Sequence, residues 1–555
     1  MTPMTPMVEK LQHLHPEMAL FVTACVVLLL GLSSASALRK SCAWVTGIGL
    51  VIAFFLSLRA PIDTAAALPG LQRYAKTLVA GIGLLLLPLL SGVADDGLSR
   101  DEGHVRFSPA RALRGEFYAL TLFSLTGVML SATADDLIWL FLALELTSLP
   151  TYVMVAVSTK SERSLESGVK YFFLGAFSAA IFLLGFAMLY GATGTTMLPE
   201  IRALIGGVDL SPLATLGFTL AILGVSFKIA AFPMHFYTAD VYQGSSAAVS
   251  GFLAFAPKAA GIFTIVQLTA IVGWGWGDSF SALPESMRVL LWTMAAVTMT
   301  VGNTLGCMQT SARRILAYSS IAHSGYMLVG VIAGPGDGPI ASNGLAATLF
   351  YLLTYGVMNV GAFAVLAALE KRKVLETPDG PVEVYEEVDE LADLRGLVSH
   401  RPVLAWTMTL CALSLLGLPP LLGFFGKFAL FTSGVSAGEI PLVIILGVNS
   451  AIAAFYYLRL AAAPMLESPD PLTERPRLVA RGAPGRWIAG LVSAVAVVAL
   501  SFTASRFLTA SSRVTDIPAA AERQEQPRRA AHNTTALSPD AAKLEASAST
   551  AVAGG

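Results

Sequence analysis

Four ionisable side chains, Glu145, Lys228, Lys258 and Lys427, lie in long apolar stretches of this sequence, where a charge is costly. A charge at the centre of a bilayer costs at least ~2.5–3.5 kcal/mol on insertion scales, so such residues usually have a function. Burial favours a neutral lysine, whereas a nearby carboxylate favours the charged form. A lysine under both influences can load and release a proton near neutral pH. The four residues therefore indicate proton transfer inside a membrane, with Glu145 as the candidate carboxylate for Lys228.

Each of these residues also has an ordinary structural explanation. A lysine can extend its ammonium to the membrane surface while its stem stays in the apolar layer, and this explanation fits Lys427 better than the other two lysines. Glu145 could belong to a buried structural pair. His235 and His323 could relay protons, since imidazole titrates near neutral pH, but either could equally be a hydrogen-bonded polar residue of the core.

The composition indicates a polytopic membrane protein. Of 555 residues, 55% are hydrophobic and another 49 are glycine, while 13% are charged. A soluble domain has about a quarter of its residues charged. Mean hydropathy is +0.68. These values exclude a disordered chain and almost any soluble enzyme, and the net charge of −1 argues against a nucleic-acid partner.

The four cysteines give no sign of a metal or cofactor site in this chain. They are Cys25, Cys42, Cys307 and Cys411, each alone in an apolar or interfacial stretch, and the sequence has no CxxC. Iron–sulfur and haem ligation need clustered ligands. We therefore predict small core residues and no metal.

Apolar runs of about 20 residues, the length that crosses the hydrocarbon layer, occur fourteen times. The fourteen predicted spans are 17–37, 42–60, 75–92, 115–132, 135–157, 166–191, 211–240, 246–272, 286–309, 312–334, 342–369, 402–434, 439–465 and 486–508.

The basic residues are distributed unevenly between the two sides of the predicted membrane. Loops after odd-numbered spans hold twenty Lys and Arg residues, and loops after even-numbered spans hold five. The first count includes Arg486 and the second includes Lys76. Since cytoplasmic loops carry the basic excess, the pattern supports the span count and predicts that both termini are periplasmic.

Prolines predict two broken helices. Pro233 follows Lys228 in span 7, and the pair Pro419–Pro420 precedes Lys427 in span 12. A proline inside a helix removes a backbone hydrogen bond, which lipid tolerates only where protein or water satisfies the freed groups. The two spans occupy matched places in two five-helix units, spans 4–8 and spans 9–13. An odd number of helices inverts the second unit, and broken helices in inverted repeats are typical of transport pathways.

The predicted organisation follows from these elements. Its parts are a three-helix segment over 1–114, a first repeat over 115–272, a second repeat over 286–369 and 402–465, an acidic cytoplasmic loop over 370–401, a last span over 486–508, and a disordered tail over 511–555. Within the loop, Leu391, Leu394 and Leu397 have the spacing of a short helix lying on the surface. The predicted fold class is an all-α polytopic membrane protein.

Several stretches resemble the antiporter-like subunits of respiratory complex I and the related Mrp-type antiporters. They are KYFFLGAFSAAIFLLG (170–185), FKIAAFPMHFYTADVYQGS (227–245), AYSSIAHSGYMLVG (317–330), DELADLRG (389–396) and GLPPLLGFFGKF (417–428). Within this family the chain looks most like the N-type subunits of the proton-pumping NADH–quinone oxidoreductase, because it carries DVYQG after span 7 and a lysine, Lys427, in span 12. The likeness covers about residues 17–508.

This resemblance implies a proton-translocating subunit of a bacterial inner-membrane complex. It implies that protons enter by Lys228, pass through Lys258 and leave by Lys427, with Glu145 modulating Lys228. NADH, FMN, iron–sulfur clusters and quinone would be bound by other subunits, and the partners would be neighbouring membrane subunits and the lipid bilayer. The alternatives are an Mrp-type Na⁺/H⁺ antiporter or hydrogenase-linked subunit, and a membrane enzyme such as a lipid transferase, for which the pair Asp135-Asp136 is a weak signal.

Overall fold

Helices make up most of the chain, as the long apolar runs predict. The computed structural model describes residues 11–33, 35–62, 66, 68–93, 114–159, 161–205, 210–273, 283–336, 340–377, 380–468, 477–478 and 483–514. The α-helices are α1 His15–Gly31, α2 Ser36–Leu58, α3 Leu71–Leu90, α4 Arg114–Thr133, α5 Leu137–Val157, α6 Glu162–Thr193, α7 Leu198–Ile205, α8 Pro212–Val225, α9 Thr238–Gly244, α10 Ala247–Val272, α11 Glu285–Cys307, α12 Ala312–Ala333, α13 Gly344–Ala368, α14 Pro402–Leu416, α15 Leu422–Ser436, α16 Ile440–Met465, α17 Ala483–Ser501 and α18 Ala504–Ser512.

Within the described residues, eleven helices are long and apolar enough to cross a membrane. Three shorter apolar helices, α1, α8 and α14, lie where the sequence predicts spans 1, 7 and 12. The predicted fold class, an all-α polytopic membrane protein, is confirmed.

Two of the predicted spans are interrupted. The span predicted over 211–240 stops at Val225, continues as a series of turns, and resumes in the seven-residue helix α9. The span predicted over 402–434 ends with α14, turns at Gly417 in a left-handed conformation (φ 90°), and restarts as α15. Prolines at 233, 419 and 420 lie in the interrupted stretches, where no helical hydrogen bond has to be broken to accommodate them.

Three helices, α10, α12 and α13, form the centre of the molecule. Each is buried along almost its whole length, whereas α2, α6 and α17 expose much of their surface. Side-chain caps begin the central helices: Ser246 accepts from the Val249 N–H, and Ser311 from the Arg314 N–H. The candidate lysines and His323 are carried by these central helices and by the two interrupted spans that pack against them.

The acidic loop after α13 differs from its prediction. It begins with a hairpin, β1 Leu369–Thr377 and β2 Gly380–Glu387, and β1 also pairs with β3, Arg477–Leu478. The prediction of a short surface helix over 389–398 is wrong. Two 3₁₀ turns take its place, separated by Gly396 at φ 65°. The three leucines of that stretch are buried in the protein instead of lying on the surface, which explains their spacing without an amphipathic helix.

The last predicted span, 486–508, is too long at its C-terminal end. Helix α17 ends at Ser501, and α18 follows after a turn. The Ser501 hydroxyl donates to the Val497 carbonyl, one of several local polar contacts at this end. Residues 511–514, assigned to a disordered tail, are ordered: the Gly70 N–H donates to the Val514 carbonyl at 3.3 Å. The tail predicted beyond residue 514 lies outside the described residues.

Candidate functional site

Lys228 lies in the turns between α8 and α9 and is only 2% exposed. Its ammonium donates to the Ser148 hydroxyl at 2.5 Å and to Glu145 Oε1 at 3.3 Å. Both partners come from α5, three residues apart and therefore on the same face of that helix. The carboxylate that the sequence suggested for Lys228 is thus in contact with it.

The backbone of this interrupted span finds hydrogen-bond partners on neighbouring helices. The Phe232 N–H donates to the Thr298 hydroxyl of α11 at 2.9 Å, and the Ser324 hydroxyl of α12 donates to the Ile229 carbonyl. An unsatisfied backbone group in lipid costs several kcal/mol, so these contacts allow the break to lie inside the membrane.

Lys258 is the twelfth residue of α10 and is 2% exposed. Its ammonium donates to the Ser320 carbonyl of α12 and lies 4.7 Å from the centre of the Tyr355 ring. One turn further along α10, a Cβ on Gly261 would come within 3.0 Å of the Lys228 Cβ. Glycine therefore lets the helix that carries Lys258 approach the turn that carries Lys228.

His323 is completely buried on α12 between two phenols. Its Nδ1 lies 2.6 Å from the Tyr351 hydroxyl, and its Nε2 lies 2.7 Å from the Tyr457 hydroxyl. The Tyr457 hydroxyl also contacts the Ser319 hydroxyl at 2.5 Å. The Tyr355 ring, which Lys258 faces, is 5.0 Å from the imidazole. An imidazole bonded at both nitrogens can accept a proton on one side and release it on the other.

Lys427 lies in α15, the second half of the other interrupted span. Its ammonium donates to the Leu416 carbonyl, at the last residue of α14, at 2.8 Å. It also lies 5.0 Å from the centre of the Tyr326 ring, which meets the His323 ring at 5.5 Å. Gly417, the residue after Leu416, has φ 90°, and a Cβ on it would lie 2.9 Å from Lys427 Cδ. Glycine is required at this position both for its conformation and for space.

Lys228, Lys258, His323 and Lys427 form a buried row, named here in the order in which the elements that carry them pack together. Among the described residues, the only carboxylate within ion-pair distance of a lysine of the row is Glu145, on Lys228. Amines, an imidazole and phenol hydroxyls are groups that can exchange protons, and inside a bilayer such groups usually mark a proton path. The row is therefore a candidate proton path.

His235 lies apart from this row. Its ring is half-buried on the outer side of the interrupted span, with Phe232 at 6.0 Å and Phe236 at 6.1 Å between ring centres. Its relay role stays a prediction without a supporting contact.

Sequence reasoning missed the hydroxyl groups of the site. They are Ser148, Tyr326, Tyr351, Tyr355 and Tyr457. One signal was available: Tyr351 and Tyr355 are four residues apart in a predicted span and so share a helix face.

Two charged contacts outside the row were also missed. Lys76 lies 2.9 Å from Glu17, with side chains 0% and 4% exposed, although the sequence placed both near loops. Arg486, counted among the cytoplasmic loop residues, is buried, donates to the Ala367 carbonyl at 2.8 Å and lies 3.4 Å from Glu387. Both assignments to loops are wrong, because Lys76 lies in α3 and Arg486 lies in α17.

Residues 134–453 match the family described as NADH:quinone oxidoreductase/Mrp antiporter, TM. NADH-quinone oxidoreductase subunit N of Trichlorobacter lovleyi is 37% identical over 81% of this chain and 86% of its own length. The corresponding subunit of Salinibacter ruber is 40% identical over 70% of this chain and 73% of its own length. A chain of respiratory complex I from Thermus thermophilus has a TM-score of 0.69 at 31% identity, covering 90% of this chain and 99% of that one. A chain of the Mrp complex from Dietzia sp. shares the fold, with a TM-score of 0.69 at 20% identity, covering 92% of this chain and 97% of that one.

Proposed function

The chain belongs to the NADH-quinone oxidoreductase subunit N family, and from this we propose that it is a proton-translocating subunit of the membrane arm of respiratory complex I. Oxidation of NADH and reduction of quinone take place in other subunits, which hold FMN and the iron–sulfur clusters. Within the described part of this chain, no three His, Cys, Asp or Glu side chains come together as a metal site. Its partners are neighbouring membrane subunits and the lipid bilayer.

Protons enter at Lys228, pass through Lys258 and His323, and leave by Lys427. The observation that carries this proposal is the buried row itself. Lys258 and His323 share the Tyr355 ring, and His323 and Lys427 share the Tyr326 ring. Lys228 joins the row where its turn packs against Gly261 of α10, the helix that carries Lys258. Glu145 modulates the first step because it is the carboxylate that faces Lys228.

The ion pair at the entrance has the right energy scale for coupling. Opposite charges at the observed 3.3 Å attract by about 5 kcal/mol at an effective dielectric constant of ~20. Moving one charge against 100 mV requires about 2.3 kcal/mol. The attraction is therefore of the same order as the energy of moving one charge against the membrane potential, so pairing with Glu145 can modulate proton loading at Lys228, while the redox reaction in other subunits supplies the net energy.

The proposed organisation has two inverted five-helix repeats, over 115–272 and over 286–465 without the loop 370–401. The interrupted spans that carry Lys228 and Lys427 occupy matched positions in them. The three-helix segment over 1–114 and a final span complete the chain, which crosses the bacterial inner membrane with both termini in the periplasm.

The experiment is purification of the tagged chain from membranes, followed by measurement of NADH-driven quinone reduction and proton uptake in proteoliposomes. We expect co-purification with subunits that carry flavin and iron–sulfur clusters, and proton uptake that depends on Lys258. Co-purification with only small antiporter subunits, and no NADH oxidation, would refute this function and favour the Mrp-type alternative, which shares the fold.

A further inference from the structure

Asp389, in the loop after β2, joins two helices of the site at their membrane-surface ends. Its Oδ1 accepts from the Ser311 hydroxyl at 2.6 Å and from Arg313 Nε at 3.0 Å, and its Oδ2 accepts from Gln243 Nε2 at 2.9 Å. Ser311 caps α12, and Gln243 lies in α9. The Asp389 carbonyl also accepts from the Ala312 N–H at 2.6 Å. One residue therefore holds α9 against the first turn of α12.

Further charged contacts extend this connection. Arg313 donates to the Ser245 carbonyl at 2.9 Å, at the corner between α9 and α10, and Arg314 donates to Asp240 Oδ1 at 2.8 Å. Burial alone would raise the pKa of Asp389, but the Arg313 charge and hydrogen bonds from Gln243 and Ser311 together hold it below its ordinary value. Charge-assisted hydrogen bonds of this kind are about twice as strong as neutral ones and fix geometry well.

The position of helix α9 affects the position of Lys228 through Tyr237 and Phe227. This helix has only seven residues, and Tyr237 immediately precedes it. The Tyr237 hydroxyl donates to the Phe227 carbonyl at 2.8 Å, and the two rings stack 4.2 Å apart. Since Phe227 is the neighbour of Lys228 in the chain, a displacement of α9 shifts the turn that carries this lysine.

The position of helix α12 affects the position of Lys258 through the Ser320 carbonyl. The Ser320 carbonyl accepts from the Lys258 ammonium, and the Ser324 hydroxyl donates to the Ile229 carbonyl. From Ser311 to Ser320 is nine residues, or about 14 Å along a rigid helix. The placement of α9 relative to α12 at their surface ends therefore determines how Lys228 and Lys258 lie relative to each other.

We propose that Asp389 is a positioning residue for proton transfer between Lys228 and Lys258, acting through α9 and α12. It touches neither lysine. This inference rests on the proposed function, because it holds that the loop carrying Asp389 aligns Lys228 with Lys258 for proton transfer.

The test is Asp389→Asn in the assembled complex, with Asp393→Asn as the matched control. Asp393 lies in the same loop and pairs with Lys371 at 2.7 Å, but bonds to the loop itself and not to α9 or α12. We expect quinone reduction per assembled complex to fall about tenfold for Asp389→Asn, as for a small misplacement of reacting groups. We also expect a displaced pH profile, faster hydrogen exchange at the Ala312 amide, partial rescue by Asp389→Glu, and a near wild-type control.

Two results would overturn the proposal. One is wild-type turnover and pH profile for Asp389→Asn although the Ala312 amide exchanges faster. The other is a loss of turnover that only follows the amount of assembled complex, with an unchanged pH profile, because this is the effect of a purely structural role. Failure of the proposed function is distinguishable, since the wild-type complex itself would then show no NADH-driven proton uptake.

Discussion

Replacing Lys258 by methionine removes the ammonium from the centre of the row while keeping the length of the side chain. Lys258 is residue 12 of the 26 in α10, about 18 Å from the start of the helix and so near mid-membrane. A proton that crosses there without an amine to carry it meets at least the ~2.5–3.5 kcal/mol cost of a charge in the bilayer. At 1.36 kcal/mol per factor of ten, coupled turnover falls about 70- to 400-fold.

We expect the same substitution to leave the fold intact. It removes one charge-assisted hydrogen bond to Ser320, worth about 1.5–3 kcal/mol, and a cation–π contact with Tyr355 worth about 2 kcal/mol. It also removes the desolvation penalty of a buried ammonium, which is several kcal/mol. The assay is NADH–quinone reductase turnover divided by the amount of assembled complex on native gels. Turnover near the wild-type value in fully assembled Lys258→Met complex would refute the reasoning.

Three further perturbations test other contacts. Glu145→Gln removes the attraction of about 5 kcal/mol on Lys228 but keeps the amine of Lys228, so we expect a smaller loss of turnover than for Lys258→Met. A total loss of turnover would show that the carboxylate itself carries protons. Lys76→Met leaves the buried Glu17 carboxylate without its cation, at a cost of about 3–5 kcal/mol, so it should reduce the thermal stability of the complex. The double variant Glu17→Gln, Lys76→Met should restore that stability. Equal stability of the single and the double variant would contradict a structural pair. The depressed pKa of Asp389 stabilises the fold fully above the unfolded-state value of about 3.9, and this contribution disappears as pH falls through the lower folded-state value. Asp389→Asn should therefore lower thermal stability at neutral pH, and a difference from wild type that does not shrink in acid would contradict this sign.

The sequence predicts the helices well because a membrane imposes one simple constraint. Runs of about 20 apolar residues have to be helical in lipid, so type and approximate bounds follow from composition. Prolines predict both interruptions. The end of the last span at Ser501 and the hairpin after α13 could not be predicted in this way, because they depend on local polar contacts and on packing against other parts of the chain.

The candidate site is predictable in its charges but not in its connections. Lysines deep in apolar runs are conspicuous, and the contact of Lys228 with Glu145 is present. Hydroxyl groups are common in membrane helices, so nothing in the sequence distinguishes Tyr457, which meets His323 from a helix more than a hundred residues away. The pair of Lys76 with Glu17 was missed for a related reason: residues near a span end are assigned to the surface unless the partner is known.

The most direct test of the proton path is the number of protons taken up per NADH oxidised by proteoliposomes containing the assembled complex. We expect a lower number and a slower uptake for Lys258→Met than for wild type. We expect wild-type values for Lys371→Met, since Lys371 is a loop lysine paired with Asp393 outside the row. Wild-type proton uptake, in both rate and number, by the Lys258→Met complex would contradict the claim that protons pass along the row.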